Sequence, residues 1–420
     1  MIEIKPQMAK SCEISVPGSK SYTHRILIAA ALSDGFCTIT NALHSEDTLY
    51  TLRALKQMGI DIEEEENRIT VHGTNGLLRP SIDPISLGNS GTSMRLLTAV
   101  AALGQGTYTL TGAKRMSQRP IQDLLDGLHQ VGVSAHSVNQ NGCPPVQVVG
   151  GNLNGGPVVL NCKTSSQFLS AMLLIAPFTK KGMVITVTEG PVSKPYIDVT
   201  VNLMEHLGIK IDRTEYKKFH IPGNQVYRAG AYTVEPDASQ AGYFWAAAAI
   251  SGNTVKVRGI SMDSKQGDVR FVETLKAMGC SITPEQDGIA VTGGPLFAID
   301  VDMADMPDMV PTLAVTASYA KGTTRIRNVA HLRNKESDRL GSVVNELVKM
   351  GIDARCSDSE LTIQGGTPKG AHINTYNDHR MAMSFAIAGL VTPGIFIKDE
   401  TCVEKSFPTF WQVFEKLYPV

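Results

Sequence analysis

The chain has 420 residues, 42% hydrophobic and 19% charged, a composition that supplies large buried cores and excludes intrinsic disorder. Thirty-nine basic against 40 acidic residues leave a net charge of −1, which excludes a general nucleic-acid coat while permitting a local basic pocket. The seven cysteines are scattered with no C-x-x-C pair, which argues against a disulfide framework or a zinc site, and the apolar runs are far too short to span a membrane.

The first stretch that carries a signal is "VPGSKSYTHR", residues 16–25. Pro17-Gly18 reads as a turn, and Ser21 reads as the N-cap of an apolar helix through Leu32. Lys20 and Arg25 sit where the helix dipole disfavours a cation by roughly 0.3–1 kcal/mol. Either both point into water, or an anionic ligand binds there. An amphipathic helix then ends at Gly59, and the acidic run Glu63–Glu66 reads as a solvated turn. "GNSGTSMR" (88–95) opens a second apolar helix, and "SQRP" (117–120) precedes an amphipathic helix that ends at Gly132. "TSSQ" (164–167) opens the third apolar helix; Ile197, Val201, Met204 and Leu207 then show helical spacing up to Gly208. The turn-rich stretch 219–234 is the candidate crossover between halves. "SQAGYFWAAAAISG" opens the fourth unit, "MPDMVP" (306–311) the fifth and "NDHR" (377–380) the sixth. "RNKESDR" (333–339) and "EKSFP" (404–408) precede the last two amphipathic helices, the final one being the tail from Phe407.

These are six copies of one unit. Gly59, Gly132, Gly208, Gly279 and Gly351 close the amphipathic helices, and Gly35, Gly106, Gly182, Gly252, Gly322 and Gly394 close the apolar ones; within each series the spacing is 70–76 residues. The pattern predicts an α/β protein of two similar domains, three units each, with the apolar helices buried in parallel and their N-termini opening at one end. Two such ends facing each other would enclose an anion-attracting cleft. Charged and hydroxyl residues recur at equivalent helix starts, which favours the ligand explanation for Lys20 and Arg25.

"PGSKSYTHR", "GNSGTSMR", "SQRP", "TSSQF", "VSKPYIDVT", "NKESDR" and "YNDHRMAM", in this order, resemble the signatures of the 5-enolpyruvylshikimate-3-phosphate (EPSP) synthase family along essentially the whole chain. The resemblance implies the enolpyruvyl transferase fold, with domains at 17–231 and at 1–16 plus 232–420. It implies transfer of the enolpyruvyl group of phosphoenolpyruvate to the 5-hydroxyl of shikimate 3-phosphate, with release of phosphate, in the route to chorismate and aromatic amino acids. Lys20, Ser21, Arg25, Ser165, Ser166, Gln167, Ser193, Tyr196, Asp308, His331 and Lys335 would hold shikimate 3-phosphate. Lys20, Asn89, Gly91, Thr92, Arg119, Gln167, Arg339, His379, Arg380 and Lys405 would hold phosphoenolpyruvate. Glu336 is the candidate for proton transfer at carbon, and Asp308 with Lys20 the candidates at the hydroxyl. No cofactor, metal, nucleic acid or membrane is implied, and a cytoplasmic monomer is expected.

Alternatives remain open at this point. Asp338 either contributes to the site or only caps its helix, and His379 either contacts substrate or only supports Arg380. Two positions depart from relatives: His331 stands where many have asparagine, and Leu96 follows Arg95 where plant and enteric ones have proline; the latter bears on sensitivity to the inhibitor glyphosate, for which Gly91 argues and Leu96 does not. The sister transferase acting on UDP-N-acetylglucosamine carries a reactive cysteine in the loop before the Arg-Pro of the second unit; here that loop is "GAKRMSQRP". An RNA 3′-phosphate cyclase or a repeat-built binding scaffold are the more distant readings.

Overall fold

The glycines that punctuate the repeat set the element boundaries. In the computed structural model, which describes residues 1–8 and 10–419, Gly59, Gly132, Gly208, Gly279 and Gly351 all have φ between +78° and +116°. A side chain would be strained there, and glycine lets each helix turn directly into a strand. Twelve α-helices are present among the described residues: α1 (Lys20–Ala31), α2 (Glu46–Gln57), α3 (Gly91–Val100), α4 (Gln122–Gln130), α5 (Gln167–Ile175), α6 (Pro195–His206), α7 (Ala238–Ser251), α8 (Phe271–Ala277), α9 (Val310–Ala317), α10 (Arg339–Lys349), α11 (His379–Gly389) and α12 (Phe410–Phe414). The odd-numbered helices are the apolar ones. In α7 every residue from Ala238 to Ala249 is buried, and in α5 every residue from Phe168 to Ile175. The even-numbered helices bury one face, as Leu340, Val343 and Leu347 do in α10, at the spacing of an amphipathic helix. None of the described helices is long and apolar enough to cross a membrane.

The chain forms two compact units, residues 18–234 and residues 1–17 with 235–420. In the first unit, Ile85–Ser86 pairs in parallel with Gly106–Thr111, which pairs antiparallel with Val146–Gly150, itself antiparallel to Ser134–Ser137. The apolar α3 links the parallel strands and the amphipathic α4 leads into the hairpin, giving a βαβαββ unit. Gly156–Leu160, Met183–Val187, Lys218–Ile221 and Asp212–Thr214 repeat the pattern. So do Ala231–Thr233, Phe36–Thr40, Arg68–His72 and Asp61–Glu65. The second unit has two more such sheets: Ser11–Ile14, Thr254–Arg258, Gly288–Thr292 and Ser281–Glu285, and Asp300–Asp302, Thr323–Arg327, Leu361–Gln364 and Ala354–Cys356. Its third sheet has three strands, with Ile2–Ile4 antiparallel to Ile395–Ile397. Each unit has its own apolar core.

Four local readings of the sequence are corrected. Helix α1 starts at Lys20, so Ser19, with extended backbone, takes the N-cap position instead of Ser21. Gly18 already completes the turn, packed where a Cβ would meet the Asn41 carbonyl. Glu63–Glu65 are exposed as expected but lie on the strand Asp61–Glu65. Within the stretch 219–234, Phe219–Ile221 belongs to a strand of the first unit. The tail forms only the short α12 and a 3-10 turn, Glu415–Leu417, before Pro419; Val420 lies outside the described residues.

Candidate active site

In the unit 18–234, both cations of the opening motif turn inward. Arg25, in the second turn of α1, is 1% exposed. Its Nε donates to Thr200 Oγ1 (2.7 Å), its Nη1 to the Ser21 carbonyl (2.9 Å), and its Nη2 to Ser170 Oγ (3.3 Å) and the Tyr196 carbonyl (3.2 Å). All four acceptors are uncharged, and burial lowers the guanidinium pKa to about 10. Lys20 Nζ lies 3.2 Å from Asp47 Oδ2. The solvent-facing explanation is therefore excluded for both.

Helix α3 begins under a cap in which Ser90 Oγ accepts from Ser93 N. This places Gly91 against Arg119, whose Nη1 donates to the Asn89 carbonyl (3.0 Å) and Asn89 Oδ1 (3.3 Å). Gln167, the first residue of α5, donates to Thr92 Oγ1 (2.9 Å) and accepts from Arg95 Nη1 (2.7 Å), so the starts of α3 and α5 are side by side. Ser165 Oγ accepts from Gln167 N (3.2 Å), and Ser166 takes the N-cap position of α5. Ser193 is buried in the loop before α6, with φ +55°.

In the unit 1–17 with 235–420, the starts of α9, α10 and α11 converge on Arg339. Its Nη1 donates to Asp308 Oδ1 (2.9 Å), its Nη2 to Glu336 Oε2 (2.8 Å), and its Nε to Asp378 Oδ2 (2.8 Å). Burial opposes the charge on Arg339, but Asp378, Glu336 and Asp308 together raise its pKa above the ordinary value. Arg380 Nη2 donates to Asp308 Oδ2 (2.7 Å), so one carboxylate bridges two guanidinium groups. Asp378 also caps α11 through Arg380 N (3.0 Å) and accepts from Ser337 Oγ (2.9 Å). Its side chain is 0% exposed, against 17% for Asp308 and 10% for Glu336. A substrate can reach the last two but not Asp378, which holds the web together. Asp338 does cap its helix, accepting from Gly341 N. His379 opens α11 fully buried, and Lys405 ends the 3-10 segment Glu400–Lys405.

His331 and Lys335 flank this web. Burial, with Lys335 adding to it, pushes the His331 pKa down to about 3, Asp308 opposing and Arg339 reinforcing. The folded state thus disfavours an imidazolium whose unfolded pKa is near 6.5. The resulting stability is complete above about pH 6.5 and is lost as the pH falls toward 3. Between pH 7 and pH 5 the loss is about 2 kcal/mol. Urea unfolding at the two pH values should show this drop in the wild type and a smaller one in His331→Asn.

Several residues of these networks escape a reading of the sequence alone. Asp47 and Tyr243, the partners of Lys20 and Arg380, have no motif of their own. Asp378 carries one signal, an N-cap residue before an apolar helix. Asp61, Glu63 and His72 bring ligand atoms within 4.8 Å of one another on adjacent strands; the trio is partly exposed and takes no part in the networks above.

Five βαβαββ units and a sixth built on a three-stranded sheet, with cations, hydroxyls and carboxylates gathered at the helix starts, place the chain among the enolpyruvyl transferases. The fold matches the enolpyruvyl transferase NikO from Streptomyces tendae with a TM-score of 0.78 at 19% identity, over 99% of this chain and 96% of that one. It matches EPSP synthase from Acinetobacter baumannii with a TM-score of 0.84 at 29% identity, over 99% and 97% of the two chains. The family model of EPSP synthase (3-phosphoshikimate 1-carboxyvinyltransferase) spans residues 4–414. The 3-phosphoshikimate 1-carboxyvinyltransferase of Syntrophobacter fumaroxidans is 44% identical over 417 residues, 99% of each chain. That of Salmonella arizonae is 44% identical over 412 residues, 96% of each. The chain belongs to the EPSP synthase family.

Proposed function

We propose that this chain transfers the enolpyruvyl group of phosphoenolpyruvate to the 5-hydroxyl of shikimate 3-phosphate and releases phosphate. The observation that carries this reading is the web at the starts of α9, α10 and α11: two partly accessible carboxylates, Asp308 and Glu336, joined through Arg339 and beside Arg380. Such a group can move protons next to a bound dianion.

In this reading Ser21, Arg25, Ser165, Ser166, Gln167, Ser193 and Tyr196, with Lys20, Asp308, His331 and Lys335, hold shikimate 3-phosphate. A buried guanidinium whose four observed acceptors are neutral gains a strong charge-assisted bond from an incoming anion. Lys20, Asn89, Gly91, Thr92, Arg119, Gln167, Arg339, His379, Arg380 and Lys405 hold phosphoenolpyruvate, whose carboxylate and phosphate account for the number of cations. Glu336 delivers a proton to the methylene carbon. The 5-hydroxyl oxygen then bonds to the neighbouring carbon while its proton passes to Asp308 or Lys20. Glu336 takes a proton back from the new methyl group as the carbon–oxygen bond to phosphate breaks. The guanidinium groups offset the charge on the departing phosphate.

Gly91 sits close against the Arg119 guanidinium. A Cβ there would fall 2.7 Å from Arg119 Cζ, so Gly91→Ala must push the guanidinium aside. The expected result is a rise of about 10- to 100-fold in KM for phosphoenolpyruvate, with shikimate 3-phosphate binding unchanged by calorimetry. An unchanged KM would remove Arg119 from the phosphoenolpyruvate site.

The test of the function itself is phosphate release with both substrates, with each omitted in turn, and with UDP-N-acetylglucosamine in place of shikimate 3-phosphate. Release that requires phosphoenolpyruvate and shikimate 3-phosphate together is expected. Release with the nucleotide sugar alone as acceptor, or none at all, overturns the reading.

A further inference from the structure

We infer that Tyr243 is a positioning residue for Arg380, fixing the plane of its guanidinium toward phosphoenolpyruvate; the inference rests on the assignment of Arg380 to that substrate. Arg380 is gripped from two sides. Its Nη2 donates to Asp308 Oδ2 at 2.7 Å and its Nη1 donates to the Tyr243 hydroxyl at 3.1 Å. The two grips differ in kind. Asp308 also accepts from Arg339 Nη1 at 2.9 Å, and in the proposed reaction it must engage the substrate hydroxyl. Its bond to Arg380 is therefore one that changes during turnover. Tyr243 takes no part in the chemistry, so its grip persists.

The surroundings of Tyr243 suit that task. It lies in the second turn of α7, is 0% exposed, and meets the Phe410 ring edge-on with centroids 6.1 Å apart. Its two side-chain torsions are thus fixed by packing. Burial raises the phenol to about 12, so it stays uncharged across the working range. A neutral acceptor orients an N–H without neutralising the guanidinium, whereas a second carboxylate would compete with the anionic substrate for the same charge. The sequence conceals the role, because a tyrosine within "YFWAAAAI" reads as core.

The test is Tyr243→Phe, alone and combined with Arg380→Lys. Tyr243→Phe keeps the ring and removes only the acceptor. KM for phosphoenolpyruvate should rise about tenfold, the worth of one hydrogen bond to a charged group, with kcat and shikimate 3-phosphate affinity within about twofold of wild type. Arg380→Lys, which lacks the guanidinium fork, should raise the same KM, and adding Tyr243→Phe to it should change KM less than about twofold. Trp245→Phe, at a fully buried residue of the same helix whose Nε1 donates to the Ile289 carbonyl, is the packing control. It should lower the melting temperature while leaving KM alone.

If Arg380→Lys leaves KM at the wild-type value, the assignment of Arg380 falls and the inference with it. If Arg380→Lys raises KM but Tyr243→Phe does not, or if the two effects multiply, the inference alone is overturned. The same follows if Trp245→Phe raises KM as much as Tyr243→Phe. Should Tyr243→Phe fail to fold, 3-fluorotyrosine at position 243, a weaker acceptor of the same shape, must raise KM severalfold; an unchanged KM overturns the inference.

Discussion

Arg339→Met is expected to lower folding stability by about 3–5 kcal/mol and to reduce turnover below detection. Arg339 is 1% exposed and donates to three carboxylates, Asp308, Glu336 and Asp378. These come from separate segments: the 3-10 turn before α9, the loop before α10, and the cap of α11. Methionine fills much of the volume, so the loss is mainly electrostatic. Three carboxylates are left close together with their shared cation gone, and the buried Asp378 has no access to water. Breaking a buried ion network by removing one partner is costly because the remaining charges stay desolvated. Arg339→Lys should fall between. One ammonium supplies the charge but cannot reach three acceptors in a plane. Urea midpoints and the two-substrate phosphate assay measure both effects. If Arg339→Met unfolds at the wild-type midpoint, the web contributes little to the fold, and Arg339 would matter for substrate alone.

The architecture was legible in the sequence because it is written in local terms. A glycine at φ +89° after "LKQM", or an alanine-rich helix apolar on all sides, needs no distant partner to be recognised. The site is a different matter. The motif at residues 16–25 placed Lys20 and Arg25 at a helix start but left two explanations open. What excludes the solvent-facing one for Arg25 is Thr200 and Ser170, 175 and 145 residues away. Asp378 was visible as part of "NDHR", yet its pairing with Arg339 spans 39 positions and has no periodic signature. Misplacing the cap at Ser21 has a smaller cause. Ser19 and Ser21 are both plausible N-caps by type, and only the packing of Gly18 against Asn41 shows where the turn ends. The short α12 reflects competition: Phe407, Phe410, Trp411 and Phe414 satisfy their burial by packing on one another, and Pro419 stops the chain from extending the helix.

Glu336→Gln is expected to bind shikimate 3-phosphate nearly as the wild type does and to turn over at least roughly 100-fold more slowly, the usual range for a lost acid–base group being about 10²–10⁴. The substitution is nearly isosteric. A glutamine carbonyl can still accept from Arg339 Nη2, which lies 2.8 Å from Glu336 Oε2, so the web survives in weakened form and the fold with it. What glutamine cannot do is donate a proton of comparable acidity to carbon and take one back. Asp308→Asn should behave differently. Asp308 is the carboxylate assigned to the substrate hydroxyls, and it bridges Arg339 and Arg380, so its loss should weaken shikimate 3-phosphate binding as well as rate. Heavy water separates the steps further. A methyl intermediate can return a different hydrogen from the one it received, so the wild type should wash deuterium into the vinyl position of recovered phosphoenolpyruvate or product. Glu336→Gln should slow that wash-in and phosphate release together. If it incorporates deuterium and releases phosphate at the wild-type rate, Glu336 is not the acid–base group at carbon, and that step passes to Lys20 or Asp308.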